Sequence, residues 1–322
     1  MPINRTELID SLFTTTFYRR QKELHDQVVD AVPFYKWLNL KGQKKERPGG
    51  LALEKRIRVG KNITTTWLGR GDTVPITDTE YAILAKFDWK YVATTVRRYW
   101  VDDIKQDSNE KLVDYVTEKL DTSGSDMTES INDSLMVSGG TAKHPLAISE
   151  LVADNPTVGL IGEVDRAAFP MWRNQFTDAV GQPATLFLMD LLRTMHNKCS
   201  VGAQTGTRIP DFHLTNQALH ELFEAEAEGK VQIINQKLAD LGFTGVTYKG
   251  KPVEYDDSVG NRWYMLNSNH LELAISSTAP FELDEWKPIV DQPKDRVTQI
   301  IASLALVSNQ LRKNGVIFNL TP

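Results

Sequence analysis

From Tyr81 to Trp100 the chain alternates: Tyr81, Ile83, Ala85, Phe87, Trp89 and Tyr91 fall on one side, Lys86, Asp88 and Lys90 on the other. A period of two with aromatic and β-branched residues predicts a β-strand. Strands usually run about 5–6 residues, so one kept up this long leaves the body of most domains, and something must cover its apolar face. A first arm precedes it at Leu51–Val59, with Leu51, Leu53, Ile57 and Val59 on one face. Gly60-Lys61-Asn62 reads as a turn between the arms, of unclear type, and "ITTTWLGRGDTV" continues the β-rich chemistry. The charged "KGQKKERPGG" before the hairpin reads as a break. Residues 1–40 read as short helical pieces, the second ended by Pro33.

From Ser108 to Val137 the period changes. Val113, Val116, Leu120, Met127, Ile131 and Leu135 make one stripe, which predicts a single helix about 45 Å long, stopped by "SGGTAKHP". The second half is mixed. "PATLFLMDLLRTMHNK" predicts a helix with proline near its first turn. "FHLT" predicts a strand, and "NQALHELFEAEAEG" a helix with Asn216 as N-cap and Gly229 as stop. "VTYKGKPVEYD", "RWYMLN", "LELAI" and "NGVIFNL" predict strands. "DRVTQIIASLALVSNQ" fits strand or helix by its apolar run alone.

The 322 residues, 41% hydrophobic and 25% charged, suit two modest domains. A net charge of −5 argues against a protein that is cationic overall and grips nucleic acid that way. One cysteine, Cys199, excludes an intramolecular disulfide framework and a Cys-rich zinc site. "MPINRTELIDSLF" has no apolar signal core, and Ile300–Val307 falls short of the roughly 20 residues a membrane span needs. No membrane role is expected. The Asn-x-Ser/Thr triplets at Asn4, Asn62, Asn132 and Asn319 read as chance.

No catalytic, metal or cofactor constellation emerges. The six histidines form no HxH or HExxH set, and phosphate-loop and nucleophile-elbow motifs are missing. His196 and Cys199 lie three apart, a spacing that suits a thiolate pair; a helix-end histidine beside a buried small thiol is the plainer account. "VGAQTGTRIP" reads as an exposed loop. In "GEVDRAAFPMWRN", Asp165, Arg166, Trp172, Arg173 and Asn174 are dense enough for a polar site, but such clusters more often brace a loop.

The order of parts resembles the major capsid proteins of tailed bacteriophages, the Hong Kong 97-type fold. "GGLALEKRIRVGKNITTTWLGRGDTV" resembles the hairpin opening of one phage subgroup, "FDWKYVATTVRRYWVDD" the return into its long helix, and "IGEVDRAAFPMWRNQF" the stretch after it. "PDFHLTNQALHELFE", "KPVEYDDSVGNRWYMLNSNHLEL" and "DRVTQIIASLALVSNQLRKNGVIFNL" resemble later steps. The resemblance implies an α+β fold. An N-terminal arm would span 1–50 and an extended β-hairpin loop 51–100. The peripheral domain would span 101–180 with 285–322, its spine helix at about 108–137, and the axial domain 181–284. It also implies a non-enzymatic virion subunit, assembled in the host cytoplasm as pentamers and hexamers of an icosahedral shell around double-stranded DNA. The candidate partners are further copies of the chain, scaffolding, portal and decoration proteins, and DNA contacted without sequence preference. No long helical segment precedes the arm, so scaffolding is expected from another protein. Some members cross-link a hairpin lysine to a neighbour's asparagine; Lys61 with Asn309 or Asn314 has the right residue types, but those types are common. An encapsulin-like compartment shell is the close alternative, and an α/β enzyme using His196, Cys199 or Asp165 the distant one.

Periodicity alone leaves two covers for the hairpin level: the chain's own core, or neighbouring subunits. The second makes Trp67, Phe87, Trp89 and Tyr91 partly interface residues. Charge adds a candidate register. Residues 41–61 hold eight basic and two acidic side chains, while 102–133 hold three basic and ten acidic. Asp107, Glu110, Asp114, Glu118 and Asp121 form one acidic stripe. The expectation is that Lys55, Arg56, Arg58 and Lys61 of one subunit lie across Asp114, Glu118 and Asp121 of the next.

Overall fold

The computed structural model describes residues 9–17, 32–58, 60, 64–77, 82–105, 109–200, 208–228, 246–278 and 281–321. Helix α1 covers 9–17. It is followed by α2 (Pro33–Leu40), β1 (Lys44–Arg47), β2 (Leu53–Arg58), β3 (Ala82–Phe87) and β4 (Lys90–Arg98). Helices α3 (Trp100–Lys105), α4 (Asn109–Met136) and α5 (Ile148–Leu151) lead into β5 (Leu160–Ile161), β6 (Val164–Asp165) and β7 (Gln175–Asp178). Then come α6 (Ala184–Cys199), β8 (Phe212–Thr215) and α7 (Gln217–Glu228). The remaining strands are β9 (Thr247–Tyr248), β10 (Lys251–Tyr255), β11 (Trp263–Leu266), β12 (Leu271–Ser276), β13 (Glu282–Leu283), β14 (Lys287–Ile289), β15 (Gln292–Ser308) and β16 (Gly315–Phe318).

Two sheets organise the molecule. In the first, β15 is the hub: β12, β13, β14 and β4 all pair with it, and β1 adds to β12. The second runs β7-β16-β11-β8-β10-β9. The apolar run at 300–308 is a strand because partners flank it and both its faces are covered, which is where continuous apolar strands occur. Helix α4 follows its stripe closely: Leu120, Met127, Ile131 and Leu135 are buried, and the helix packs on β4. At 28 residues it is about 42 Å long. The second sheet is covered by α6 and α7, whose Leu188, Leu192, Met195, Leu219 and Phe223 surround Trp263, Met265 and Ile317. Asn216 caps α7, its Oδ1 accepting the Leu219 amide at 2.9 Å; the predicted stop at Gly229 lies outside the described residues. The strands cross the limits expected for the units. β12, within 181–284, pairs in the first sheet, and β7 and β16, outside it, pair in the second. Among the described residues no helix is long and apolar enough to cross a membrane.

The structure corrects three expectations. The long alternating run is two strands broken at Asp88-Trp89, with β3 pairing β2 and β4 pairing β15. The break also shifts the inward set: Ala85 and Phe87 point inward on β3, whereas Val96 and Arg98 do so on β4. A one-residue shift turns every following side chain to the other face, so Tyr91 is 71% exposed and Arg98 only 1%. Second, Gly60-Lys61-Asn62 does not close the hairpin, since Arg58 pairs with Ala82 and the connection spans 59–81. Third, the charged break contains β1, which runs parallel to β12. Its charged side chains suit a sheet edge, where one side stays in solvent. Pro33 itself opens α2, where a missing N–H leaves no hydrogen bond unmade; the helical piece expected to end there lies outside the described residues.

Candidate assembly surfaces

The hairpin has a covered base and a bare tip. At the base, Ile57, Ala85 and Phe87 are buried beneath the small β5–β6 turn, where Ile161 and Val164 are buried too. The Lys86 amide donates to the Gly162 carbonyl at 3.0 Å. Gly162 has a φ of +61°, and a Cβ there would stand 3.0 Å from the Ala85 Cβ and the Phe87 ring. Glycine therefore permits both the left-handed backbone and the close approach. Phe87, 2% exposed, and Trp89, 7% exposed, thus have a cover within their own chain. For Phe87 that cover is the "IGEVD" turn, which corrects the expectation that a neighbour covers it; Trp89 is likewise buried within its own chain.

The tip differs. Trp67 is 100% and Ile76 98% exposed, with Leu68 and Val74 also exposed. Residues 65–69 and 72–77 take no regular structure. Burying a side chain of this size is worth roughly 1.5–3 kcal/mol, so four such residues left in solvent on one irregular loop mark it as a candidate contact surface. Of these four, only Trp67 is singled out in the sequence; Leu68, Val74 and Ile76 carry no periodic signal.

Charge divides the same way. Lys55 reaches Glu272 on β12, Nζ to Oε2 at 2.5 Å, and Arg47 on β1 reaches the other oxygen at 2.8 Å. Burial pushes the Glu272 carboxyl up, but the hydrogen bonds and charges of Lys55 and Arg47 outweigh it and hold it below the usual range. Lys55 is therefore bound inside its own chain, and a clamp ties hairpin, β1 and β12 together. Its sequence signal was a single carboxylate in the buried strand "LELAI". Arg56 and Arg58 are exposed. On α4, Glu118 is exposed and Asp121 half-buried. Lys61 and the Asp114 side chain lie outside the described residues. Structure brings none of the hairpin cations onto the α4 stripe of the same chain among the ion pairs of the described residues.

The other candidates prove to be supports. Arg166 donates to the carbonyls of Glu150 and Leu151 at 2.9 and 2.6 Å, and the Trp172 indole N–H to Ile161 at 3.0 Å. Arg173 donates to Arg166 and Ala167, Asn174 to Ala153, and Asp165 accepts the Ala167 amide. These bonds fix the turn that covers the hairpin base. Cys199 is fully buried, with Met195 Sδ at 3.8 Å, and burial pushes its thiol up to about 12. A thiol so placed is inert at neutral pH. His196 sits in the core beside Lys249 Nζ at 3.2 Å. Burial first, then the Lys249 charge, pushes it down to about 4, so it stands neutral. Among the described residues no three His, Cys, Asp or Glu side chains gather as a metal site.

The capsid asymmetric unit of cyanophage A-1(L) superposes with a TM-score of 0.66 at 15% identity, over 87% of this chain and 91% of that one. The capsid of the native GTA particle gives 0.58 at 10% identity, over 88% and 90%. The holo-SrpI encapsulin complex of Synechococcus elongatus gives 0.54 at 12% identity, over 88% of both chains. No protein-family model and no curated protein matches. The fold is the Hong Kong 97-type capsid fold, the one this chain resembles by its order of parts.

Proposed function

We propose that this chain is a major capsid protein. Its copies would assemble as pentamers and hexamers into the icosahedral head of a tailed bacteriophage, enclosing double-stranded DNA. The carrying observation is the hairpin: its base is held by the Glu272 clamp and the β5–β6 turn, while its tip presents Trp67, Leu68, Val74 and Ile76 to solvent. A rigid arm with an apolar end fits a head-to-tail contact, and such contacts close into rings when the rotation allows. The arm at 1–50, hairpin loop at 51–100, peripheral unit at 101–180 with 285–322, and axial unit at 181–284 belong to this proposal, with β12 exchanged for β7 and β16 at the seam. Portal, scaffolding and decoration proteins are its further partners. The test is electron microscopy of the purified protein, alone and with a cognate scaffold: closed shells or capsomers are expected, and a stable monomer at high concentration overturns it.

The encapsulin match supports a second reading, a compartment around protein cargo. Absorbance at 260 and 280 nm of particles from the native host separates the two, since a nucleic-acid-filled shell is dominated by its contents.

A further inference from the structure

The second sheet has a charged end that none of the foregoing uses. One cross-strand row runs Gln175 (β7), Gly315 (β16), Met265 (β11) and His213 (β8). Strands β7, β16 and β8 point the same way and begin within one residue of this row, while β11 ends within one residue of it. Residues that lead into the three strands therefore gather at one end of the sheet. Arg208 precedes β8, and Arg312 and Lys313 precede β16 in a short 3-10 turn. The last turn of α6 lies at the same level: a Cβ on Gly315 would stand 2.6 Å from Cys199 Sγ and Met195 Sδ. That turn adds Lys198.

Like charges here act on one another. Burial lowers the Lys313 ammonium pKa, and the Arg208 and Arg312 charges lower it further. Lys198 Nζ donates to Thr177 Oγ1 at 3.0 Å, and Arg312 Nη1 contacts Met171 Sδ at 3.5 Å. Among the described residues, Lys198, Arg208 and Arg312 form no ion pair within the chain. The carboxylate nearby, Asp211, is engaged by the Ser268 amide at 2.8 Å, the Ser268 hydroxyl at 2.5 Å and Lys41 at 3.6 Å. β7 to β8 spans three inter-strand steps, about 14 Å. The end thus concentrates positive charge on a chain whose net charge is −5.

We propose that this sheet end, through Lys198, Arg208 and Arg312, with Lys313 buried behind them, binds the phosphate backbone of double-stranded DNA and so marks the lumenal face of the shell. The inference rests on the capsid reading and deepens it by naming which surface meets the contents. Guanidinium forks on rigid strand ends match phosphate oxygens. Duplex DNA carries one charge per roughly 1.7 Å of axis, so a patch of this width meets several phosphates in any register.

The experiment measures fluorescence anisotropy of a short labelled duplex titrated with purified unassembled protein over a range of salt. Arg208→Gln with Arg312→Gln is compared with Arg56→Gln plus Arg58→Gln on the hairpin. The sheet-end pair should bind about tenfold or more weaker at low salt, its salt slope reduced by about 0.9 for each phosphate it no longer neutralises. The hairpin pair should leave both unchanged. Equal affinity of the sheet-end pair and wild type overturns the proposal. So does a sheet-end variant that keeps its DNA affinity yet forms no shells, which makes the patch a subunit contact. Failure of wild-type protein to form shells refutes the capsid reading and is seen by microscopy, independently of the titration.

Discussion

Cys199 shows how little room the core beside the second sheet leaves. Its thiol lies against Met195, and Gly315 is held side-chain-free by both. Cys199→Ser should lose about 1–3 kcal/mol in chemical denaturation, because it puts a hydroxyl into this apolar spot. It should still assemble, and the wild-type thiol should resist maleimide at neutral pH until the chain is unfolded. Rapid labelling of the native protein would contradict the buried geometry. His196 and His213 make the same core sensitive to acid. Burial, followed for His213 by the charges of His196, Lys249 and Lys251, lowers its pKa from 6.5 to about 3; His196 falls to about 4. Both folded values lie below the unfolded one, so the unfolded chain takes up protons first as pH falls. The stability is fully present above about pH 6.5 and is lost downward toward pH 4 and 3. The slope is about 1.4 kcal/mol per pH unit for each histidine. Urea midpoints measured between pH 7 and 5 should fall, and His196→Asn should flatten the curve; a flat wild-type curve would rule this out.

The hairpin is an element set by one carboxylate. Glu272→Ala removes the partner of both Lys55 and Arg47, leaving cations facing a buried strand. The expected cost is about 1–3 kcal/mol, with limited proteolysis between β1 and β2 well below the global unfolding midpoint; unchanged cleavage would mean that the clamp is idle. Elements with a strong period were legible in the sequence: the long helix from its stripe, α7 from Asn216 and the short strands from their bounds. The parity change at Asp88-Trp89 was not, because composition is the same on both sides and only the choice of partner strand differs. For the same reason β1 was hidden, since four charged residues show no apolar signal and pair only because β12 offers a free edge. The candidate contact surface was half legible: Trp67 stood out, whereas Lys55 and Phe87 looked available until β12 and the "IGEVD" turn were in place.

At the scale of the whole molecule, charge complementarity between copies predicts register. Lys55 is engaged by Glu272, so the swap uses Arg56 and Arg58. Changing both to Glu should leave a folded subunit that fails to build shells at moderate salt, and adding Glu118→Lys and Asp121→Lys should partly restore them. Normal shells from the first pair alone would reduce the two faces to solvated charge. The joint between hairpin and body has a mechanical side as well. The hairpin passes through Trp89 straight into β4, which shares nine paired positions with β15. A pull on the tip along the axis of β4 loads that whole ladder in shear, and all its hydrogen bonds must yield together. A pull across the axis would peel them one at a time. An arm joined in this way resists a pull along β4 far more than one across it.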